Sequence, residues 1–189
     1  AAAGFIEMIE RNSERLQRLI EDLLDLSRIE SKEYRLNLEV VDVTAIAGHV
    51  VSLFRAKAEA KRMRLAVDVP NGLRPARADR RAIDQVLSNL VDNAVKYGSD
   101  GAAVTVRAAL DADILRVSVE DSGPGIEQRH LPRLFERFYR VDAGRSRELG
   151  GTGLGLSIVK HLVEVMGGTV GVESAPGKGT KLSFTLPAA

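Results

Sequence analysis

The sequence predicts an α+β protein: a two-layer α/β sandwich, one mixed sheet with helices on one face, preceded by one long bundle helix. Three observations predict it. Apolar residues recur at alternating spacings of four and three over residues 1–31. Beyond them, strand-period and helix-period segments follow one another irregularly, not in strict alternation. The chain then closes on a hairpin pattern, two runs about the turn Pro176-Gly177-Lys178-Gly179.

The first helix carries Phe5, Ile9, Asn12, Leu16, Leu19, Leu23 and Leu26 in its seam, with Asn12 as a polar interruption. Ile6, Ile20 and Leu24 widen the stripe, which favours a four-helix bundle over a thin two-stranded coil. One such helix cannot bury itself. It needs a partner, either a preceding helix or a second subunit. The pattern opens in mid-stripe, so a piece of something longer is expected, with residues 1–32 as one domain element and 33–189 as the other.

Leu36, Leu38 and Val40 alternate with Asn37 and Glu39, predicting a strand. Asp42 is placed to cap a helix over 43–62, with Ile46, Val50, Leu53 and Phe54 facing inward. A short strand over 64–69 precedes a turn at Pro70-Asn71-Gly72. Asp79 is placed to cap a helix over 80–97, whose apolar face is Ile83, Val86, Leu87, Leu90 and Val91. Strands follow over 104–110 and 114–120. Residues 121–150 are rich in glycine and charge, with a short helical piece near 131–138; so long a loop in a compact domain is usually functional. A helix within 150–168 shows Ile158, Leu162 and Val165 at helical spacing, and strands over 169–174 and 180–186 complete the hairpin.

Bulk properties narrow the class. The chain has 189 residues, 44% of them hydrophobic, and a net charge of +1. That is enough apolar content for a core, and the balanced charge argues against a nucleic-acid binder. There are no cysteines, hence no disulfide, thiolate metal site or cysteine nucleophile. This fits a reducing compartment, and a cytoplasmic location is expected, with any membrane anchor carried on other segments. No apolar run is long enough to cross a bilayer.

Three stretches carry chemistry. GGTGLGL, residues 150–156, places glycines before a helix start, where bare N–H groups and the helix dipole favour phosphate. Two common phosphate loops are excluded. Gly151, Gly153 and Gly155 lack the Rossmann spacing, and Gly177-Lys178 lacks the earlier glycine and following hydroxyl of a Walker loop. Asn89 and Asn93 lie four apart on one helical face, with Lys96 three further on. Amide oxygens suit Mg²⁺ carrying nucleotide phosphates, and the lysine adds positive charge. DSGPGI, residues 121–126, follows a strand; alone it is a turn signal, with Asp121 placed to accept from an exocyclic amine.

Together and in this order, the chain resembles the catalytic and ATP-binding domain of sensor histidine kinases, the Bergerat-type ATPase fold. NLVDNAVKY resembles the asparagine box, DSGPGI the first glycine box and LFERFYR, residues 134–140, the phenylalanine box. GTGLGL resembles the second glycine box and GKGT, residues 177–180, the small final one. The first helix is similar to the second helix of the family's dimerisation and phosphotransfer bundle. The resemblance implies that Asn93 coordinates Mg²⁺, Asn89 supports the phosphates or a metal-bound water, and Lys96 contacts phosphates. It implies that Tyr97 flanks the adenine, that Asp121 receives its amine with Thr180 assisting through water, and that Gly123, Gly125 and Ile126 form the base pocket. Tyr139 and Arg140 would border the nucleotide, Arg140 on the γ-phosphate side. Gly151, Thr152, Gly153, Leu154, Gly155 and Leu156 would wrap the phosphates, and residues 141–150 would form a mobile lid.

The implied activity is transfer of the γ-phosphoryl group of ATP to a histidine, with Asn89, Lys96 and Arg140 as the catalytic set. The implied partners are a second copy of the chain, the acceptor histidine of a bundle helix, and the receiver domain of a response regulator. His49, His130 and His161 all lie outside the family's acceptor context, so each is expected to be structural or solvated. Arg133 and Arg137 are expected to be solvated. Three rivals share the motifs: a hydrolytic ATPase of the same fold, a serine kinase of the anti-sigma-factor type, and a non-catalytic nucleotide-binding module. Hydrolysis is disfavoured because Asn89 stands where those ATPases carry a glutamate and Asp92 points about 100° away. The bundle-like first helix argues against the serine kinase.

Overall fold

A computed structural model of the chain describes residues 2–31, 35–142 and 151–189. The long helix α1 (Ala2–Glu30) leads into β1 (Leu38–Val41), α2 (Val43–Ala60), β2 (Arg64–Asp68), β3 (Ala76–Asp79) and α3 (Arg80–Tyr97). Then come β4 (Ala103–Asp111), β5 (Ile114–Asp121), a 3₁₀ turn at Gln128–Arg133, α4 (Gly155–Val165), β6 (Val170–Ser174) and β7 (Thr180–Pro187). Among the described residues the main sheet has the order β2-β4-β5-β7-β6. The β2–β4 pair is parallel and the other pairs are antiparallel, so the sheet is mixed and open.

Both expected caps form. The Asp42 carboxylate accepts from Thr44 N at 2.8 Å and Ala45 N at 3.3 Å, opening α2. Asp79 accepts from Arg81 N at 2.9 Å and Ala82 N at 3.0 Å, opening α3. Its second oxygen accepts from Asn37 N at 2.8 Å, so this buried carboxylate also ties down the segment before β1.

The period-two pattern decides which face is covered. Val104 and Val106 on β4, Leu115 and Val117 on β5, and Phe184 and Leu186 on β7 are buried. They meet Ile46 and Val50 of α2, Ile83, Val86, Leu87 and Leu90 of α3, and Ile158 and Leu162 of α4 in one core. α3 packs between α2 and α4. The opposite face is ionic: Arg107 pairs with Asp68 and Glu120, and Lys181 with Glu120 and Glu173.

Several local expectations are corrected. Leu53 points outward at 59% exposure, and Val51 is buried in its place, because α2 presents the Ile46–Val50 side to the core. Val165 is exposed at the last turn of α4, where Val159 and Val163 pack instead. The helical piece near 131–138 is the earlier 3₁₀ turn, with Pro132 inside it. The strand β3 was not expected. It pairs antiparallel with β1 as a separate two-stranded sheet, Ala76 and Ala78 fully buried and Arg77 outward. Alanine is a weak strand former, so the alternation reads only after the pairing is known.

α1 packs on α4 and buries Leu26. Phe5, Ile6, Ile9, Leu16, Ile20, Leu23 and Leu24 remain exposed along it. No helix among the described residues is long and apolar enough to cross a membrane.

Candidate functional site

A cavity of about 430 Å³ opens between α3, the end of β5, the segment after it and the start of α4. That is within the range of small-ligand sites. α3 supplies one wall: Asn89, Asn93, Lys96 and Tyr97 line it, successive positions on one helical face. Lys96 is buried at 9% exposure, with its ammonium 5.9 Å from the Tyr97 ring centre. The end of this helix is held by Lys61, whose Nζ donates to the carbonyls of Val95, Lys96 and Gly98 at 2.8, 3.1 and 2.9 Å. A cation on the last carbonyls completes the helix electrically and fixes where Lys96 and Tyr97 stand.

At one end of the cavity sits Asp121, the last residue of β5. Its Oδ1 accepts from Gly123 N at 2.8 Å. Burial pushes its carboxyl above the ordinary carboxylate range, against the pull of hydrogen bonds from the Gly123 and Thr180 backbone. Gly123 therefore sits behind Asp121, not on the cavity wall. Gly125 and Ile126 do line the cavity, and so does Thr180. Two glycines make this end possible. Gly125 has φ +71°, and a Cβ there would lie 1.9 Å from the Ala175 carbonyl oxygen. Gly179 has φ +78°, and a Cβ there would lie 1.9 Å from the Asp121 carbonyl oxygen. The loop after β5 and the β6–β7 turn are thus pressed backbone to backbone, joined by Gly177 N to Pro124 O at 2.7 Å.

At the other end α4 begins. Gly151, Thr152, Gly153, Gly155 and Leu156 line the cavity, whereas Leu154 is fully buried in the core. No side chain caps α4, so its first N–H groups are left for a ligand or solvent. A Cβ on Gly155 would lie 3.0 Å from Asn89 Oδ1, so glycine lets α4 start against the α3 amide. Gly153, at φ +77°, accepts from Phe138 N at 2.8 Å and fixes the preceding segment. Arg140 donates through Nη2 to the Gly151 carbonyl, and Tyr139 and Arg140 both border the cavity. Tyr139 is braced from two sides: its hydroxyl lies 2.6 Å from His130 Nδ1, and the Arg133 guanidinium stacks 4.3 Å from its ring centre.

The remaining expected residues fall as follows. Arg133 is exposed, as expected, and pairs at the surface with Glu136 at 3.0 Å. Arg137 Nη2 lies 3.4 Å from His161 Nε2, and His161 sits 3.9 Å from Glu164, away from the cavity. His49 is exposed on α2. Asp92 borders the cavity, but its carboxylate is paired with Lys57. Of the expected lid, Val141 and Asp142 line the cavity and residues 143–150 lie outside the described residues.

Besides Lys61, two further residues were missed. Asp22 of α1 lines the cavity and accepts from Thr152 Oγ1 at 2.6 Å. Ser174, at the end of β6, accepts from Ile126 N at 2.8 Å behind the cavity wall. Nothing local marks Asp22, because only the docking of α1 on α4 brings it there.

Chemically, the cavity offers a half-buried acceptor at one end and uncapped N–H groups at the other, with two amide oxygens on its α3 wall. That set suits a ligand with donors at one end and anionic oxygens at the other. No cluster of three or more histidine, cysteine or acidic side chains exists among the described residues, so no all-protein cation cage forms there. A hard cation would share its ligands between an amide oxygen, water and the anion itself, as Mg²⁺ does.

Comparisons with known proteins match two segments of the chain to family models. Residues 78–189 match the family model described as histidine kinase-, DNA gyrase B- and HSP90-like ATPase. Residues 2–32 match the His Kinase A (phospho-acceptor) domain. The chain is 37% identical over 188 residues to the sensor histidine kinase WalK of Bacillus subtilis, covering 98% of this chain and 31% of that protein. It thus spans about a third of that relative's length. Among solved structures, full-length ShkA in complex with AMPPNP superposes with TM-score 0.86 at 32% identity, covering 99% of this chain and 39% of that one. Histidine kinase ThkA in complex with response regulator protein TrrA superposes with TM-score 0.79 at 26% identity, covering 98% and 51%.

Proposed function

The chain belongs to the histidine kinase-, DNA gyrase B- and HSP90-like ATPase family, among its sensor histidine kinases, and we propose that it transfers the γ-phosphoryl group of Mg-ATP to a histidine. In this reading residues 33–189 are the catalytic unit and residues 1–32 belong to the dimerisation bundle. The acceptor imidazole lies on another bundle helix, because residues 2–32, which match the phospho-acceptor domain, contain no histidine. The phosphoryl group then passes to a response regulator aspartate. The work is done on the cytoplasmic side.

The observation that carries the reading is the two-ended cavity, with Asp121 at one end and the uncapped glycine-rich start of α4 beside Asn89 at the other. Asp121 accepts the adenine amine, Tyr97 and Ile126 flank the base, and Gly125 leaves room for it. The amides of Gly151, Thr152, Gly153, Gly155 and Leu156 receive phosphate oxygens, the Leu154 N–H being given to Thr152 Oγ1. Asn93 offers its amide oxygen to Mg²⁺, with Asn89 on the phosphates or a metal-bound water. The donor set fits this ion, since Mg²⁺ prefers few protein ligands beside phosphate and water. Held there, the ion would supply positive charge against the phosphate oxygens.

The side chains perform the rest by position and charge. A neutral imidazole nitrogen is already nucleophilic, so its attack needs little proton removal, and the proton on its other nitrogen is given up once the N–P bond has formed. Its lone pair forms the N–P bond as the bond from the γ-phosphorus to the bridging oxygen breaks, and ADP leaves with that electron pair. Lys96 and Arg140 stabilise the charge on the transferring group. Water is poorly activated here. Asn89 is no base, and the Asp92 carboxylate is engaged by Lys57.

The deciding experiment incubates the protein with Mg-ATP radiolabelled on the γ-phosphate and a dimerisation bundle that bears an acceptor histidine. Label on the bundle's histidine, with slow steady-state ATP turnover, is the expected result. Fast turnover without label would make the chain a hydrolytic ATPase. No nucleotide binding at all would make it an inert module.

A further inference from the structure

Ser174, Thr180 and Asp121 stand in one row across three neighbouring strands. Thr180 is the register partner of Ser174 on one side and of Asp121 on the other. Thr180 and Asp121 line the cavity, whereas Ser174 stands behind the wall. The Ser174 hydroxyl makes three hydrogen bonds. It accepts from Ile126 N at 2.8 Å, donates to the Gly179 carbonyl at 2.7 Å and lies 3.0 Å from Thr180 Oγ1.

Proton counting fixes the direction of the third bond. A serine hydroxyl has one proton. A carbonyl oxygen can only accept, so that proton goes to Gly179. The hydrogen bond between Ser174 and Thr180 therefore uses the Thr180 proton. Thr180 Oγ1 is left with lone pairs alone to show its other neighbours. Beside it, Asp121 already accepts from Gly123 N through Oδ1 and turns further carboxylate lone pairs to the cavity. The base end of the cavity thus presents two acceptors, and a ligand group seated between them must bring a proton to each.

We propose that Ser174 is a specificity-determining positioning residue: by taking the Thr180 proton, it makes this end of the cavity accept only, and so selects a 6-amino purine over a 6-oxo purine. This rests on the nucleotide reading above. An exocyclic amine has two protons to give. A 6-oxo group offers lone pairs to lone pairs, and leaving polar groups unpaired is what makes such rejection strong. Ser174 sets the selectivity through Thr180 from behind the cavity wall, while its bond to Ile126 N bears on every base alike.

The test compares ATP and ITP binding, each with Mg²⁺, by calorimetric titration of the whole chain. The wild type is expected to prefer ATP. Ser174→Ala frees the Thr180 hydroxyl to turn and donate to a 6-oxo group, so the ITP-to-ATP ratio of dissociation constants falls about tenfold. Ser174→Thr keeps a hydroxyl and keeps the ratio. Thr180→Val removes the acceptor at nearly constant volume and also lowers the ratio, and adding Ser174→Ala to it changes the ratio no further. A merely structural serine would weaken both nucleotides equally. An unchanged ratio in Ser174→Ala or in Thr180→Val overturns the proposal, as does a further change of ratio in the double variant. Wild-type protein that binds neither nucleotide overturns the nucleotide reading itself, a different result from binding both without Ser174-dependent selectivity.

Discussion

Asp121 shows how a single residue pays for its place. Burial raises its carboxyl, with the Gly123 and Thr180 N–H groups only partly opposing. A carboxyl raised on folding adds stability below its ordinary pKa and loses it as pH climbs through the folded value. The nucleotide-free wild type is therefore expected to lose melting temperature relative to Asp121→Asn as pH rises from about 4. Paired thermal melts across that window check it, and a gap of the opposite slope would mean the site welcomes the charge. The glycines make a second residue-scale case. Gly125 and Gly177 both have positive φ, but a Cβ at Gly125 would strike the Ala175 carbonyl, whereas at Gly177 nothing lies within 4 Å. Gly125→Ala is expected to cost more than about 3 kcal/mol in chemical denaturation, and Gly177→Ala about 1–2 kcal/mol, the cost of the backbone alone.

At the scale of elements, α1 stands apart from the others. Its buried Leu26 and the Asp22–Thr152 hydrogen bond tie one side of it to α4, while the seam from Phe5 to Leu23 faces outward. Each leucine there gains about 1.5–3 kcal/mol on full burial, more than enough to drive helix pairing along its length. Leu16→Glu with Leu23→Glu is expected to abolish self-association in sedimentation equilibrium and to leave nucleotide affinity unchanged. Both side chains lie off the cavity wall. Association that survives both substitutions would place the dimer contact elsewhere. α3 is the contrasting element. Asp79 opens it, Lys61 closes it, and one of its faces supplies the core while the adjoining one supplies the cavity. Its role was legible because the apolar stripe and the amides share one helical period.

At the scale of the molecule, the cavity is walled almost wholly by residues after 33, and among the described residues α1 contributes Asp22 alone. Residues 33–189 alone are expected to fold and to bind Mg-ATP within about threefold of the whole chain, a change of under 1 kcal/mol. Loss of binding on removing α1 would make that helix part of the site and not an adjunct to it. The covered and ionic faces of the sheet also belong to this scale. Period-two alternation announced one apolar face on each strand, but which strand lies beside which is a property of the closed sheet.

The sequence by itself determined the elements whose periods run long, the two aspartate caps and the glycines beside the cavity. In each case the cause is local: a hydrophobic stripe, a carboxylate within reach of free N–H groups, or a backbone angle only glycine adopts readily. It also carried the order of motifs by which the family was recognised. Tertiary structure alone decided that β3 exists, that Leu53 and Val165 face outward, and that Lys61, Asp22 and Ser174 serve the site. Those side chains act on partners far away in sequence. Lys61 holds carbonyls of another helix, Asp22 meets Thr152 across a packed interface, and Ser174 meets Thr180 only once β6 and β7 pair. A proton's destination depends on every neighbour of the atom that carries it, and the neighbours are assembled only by the fold.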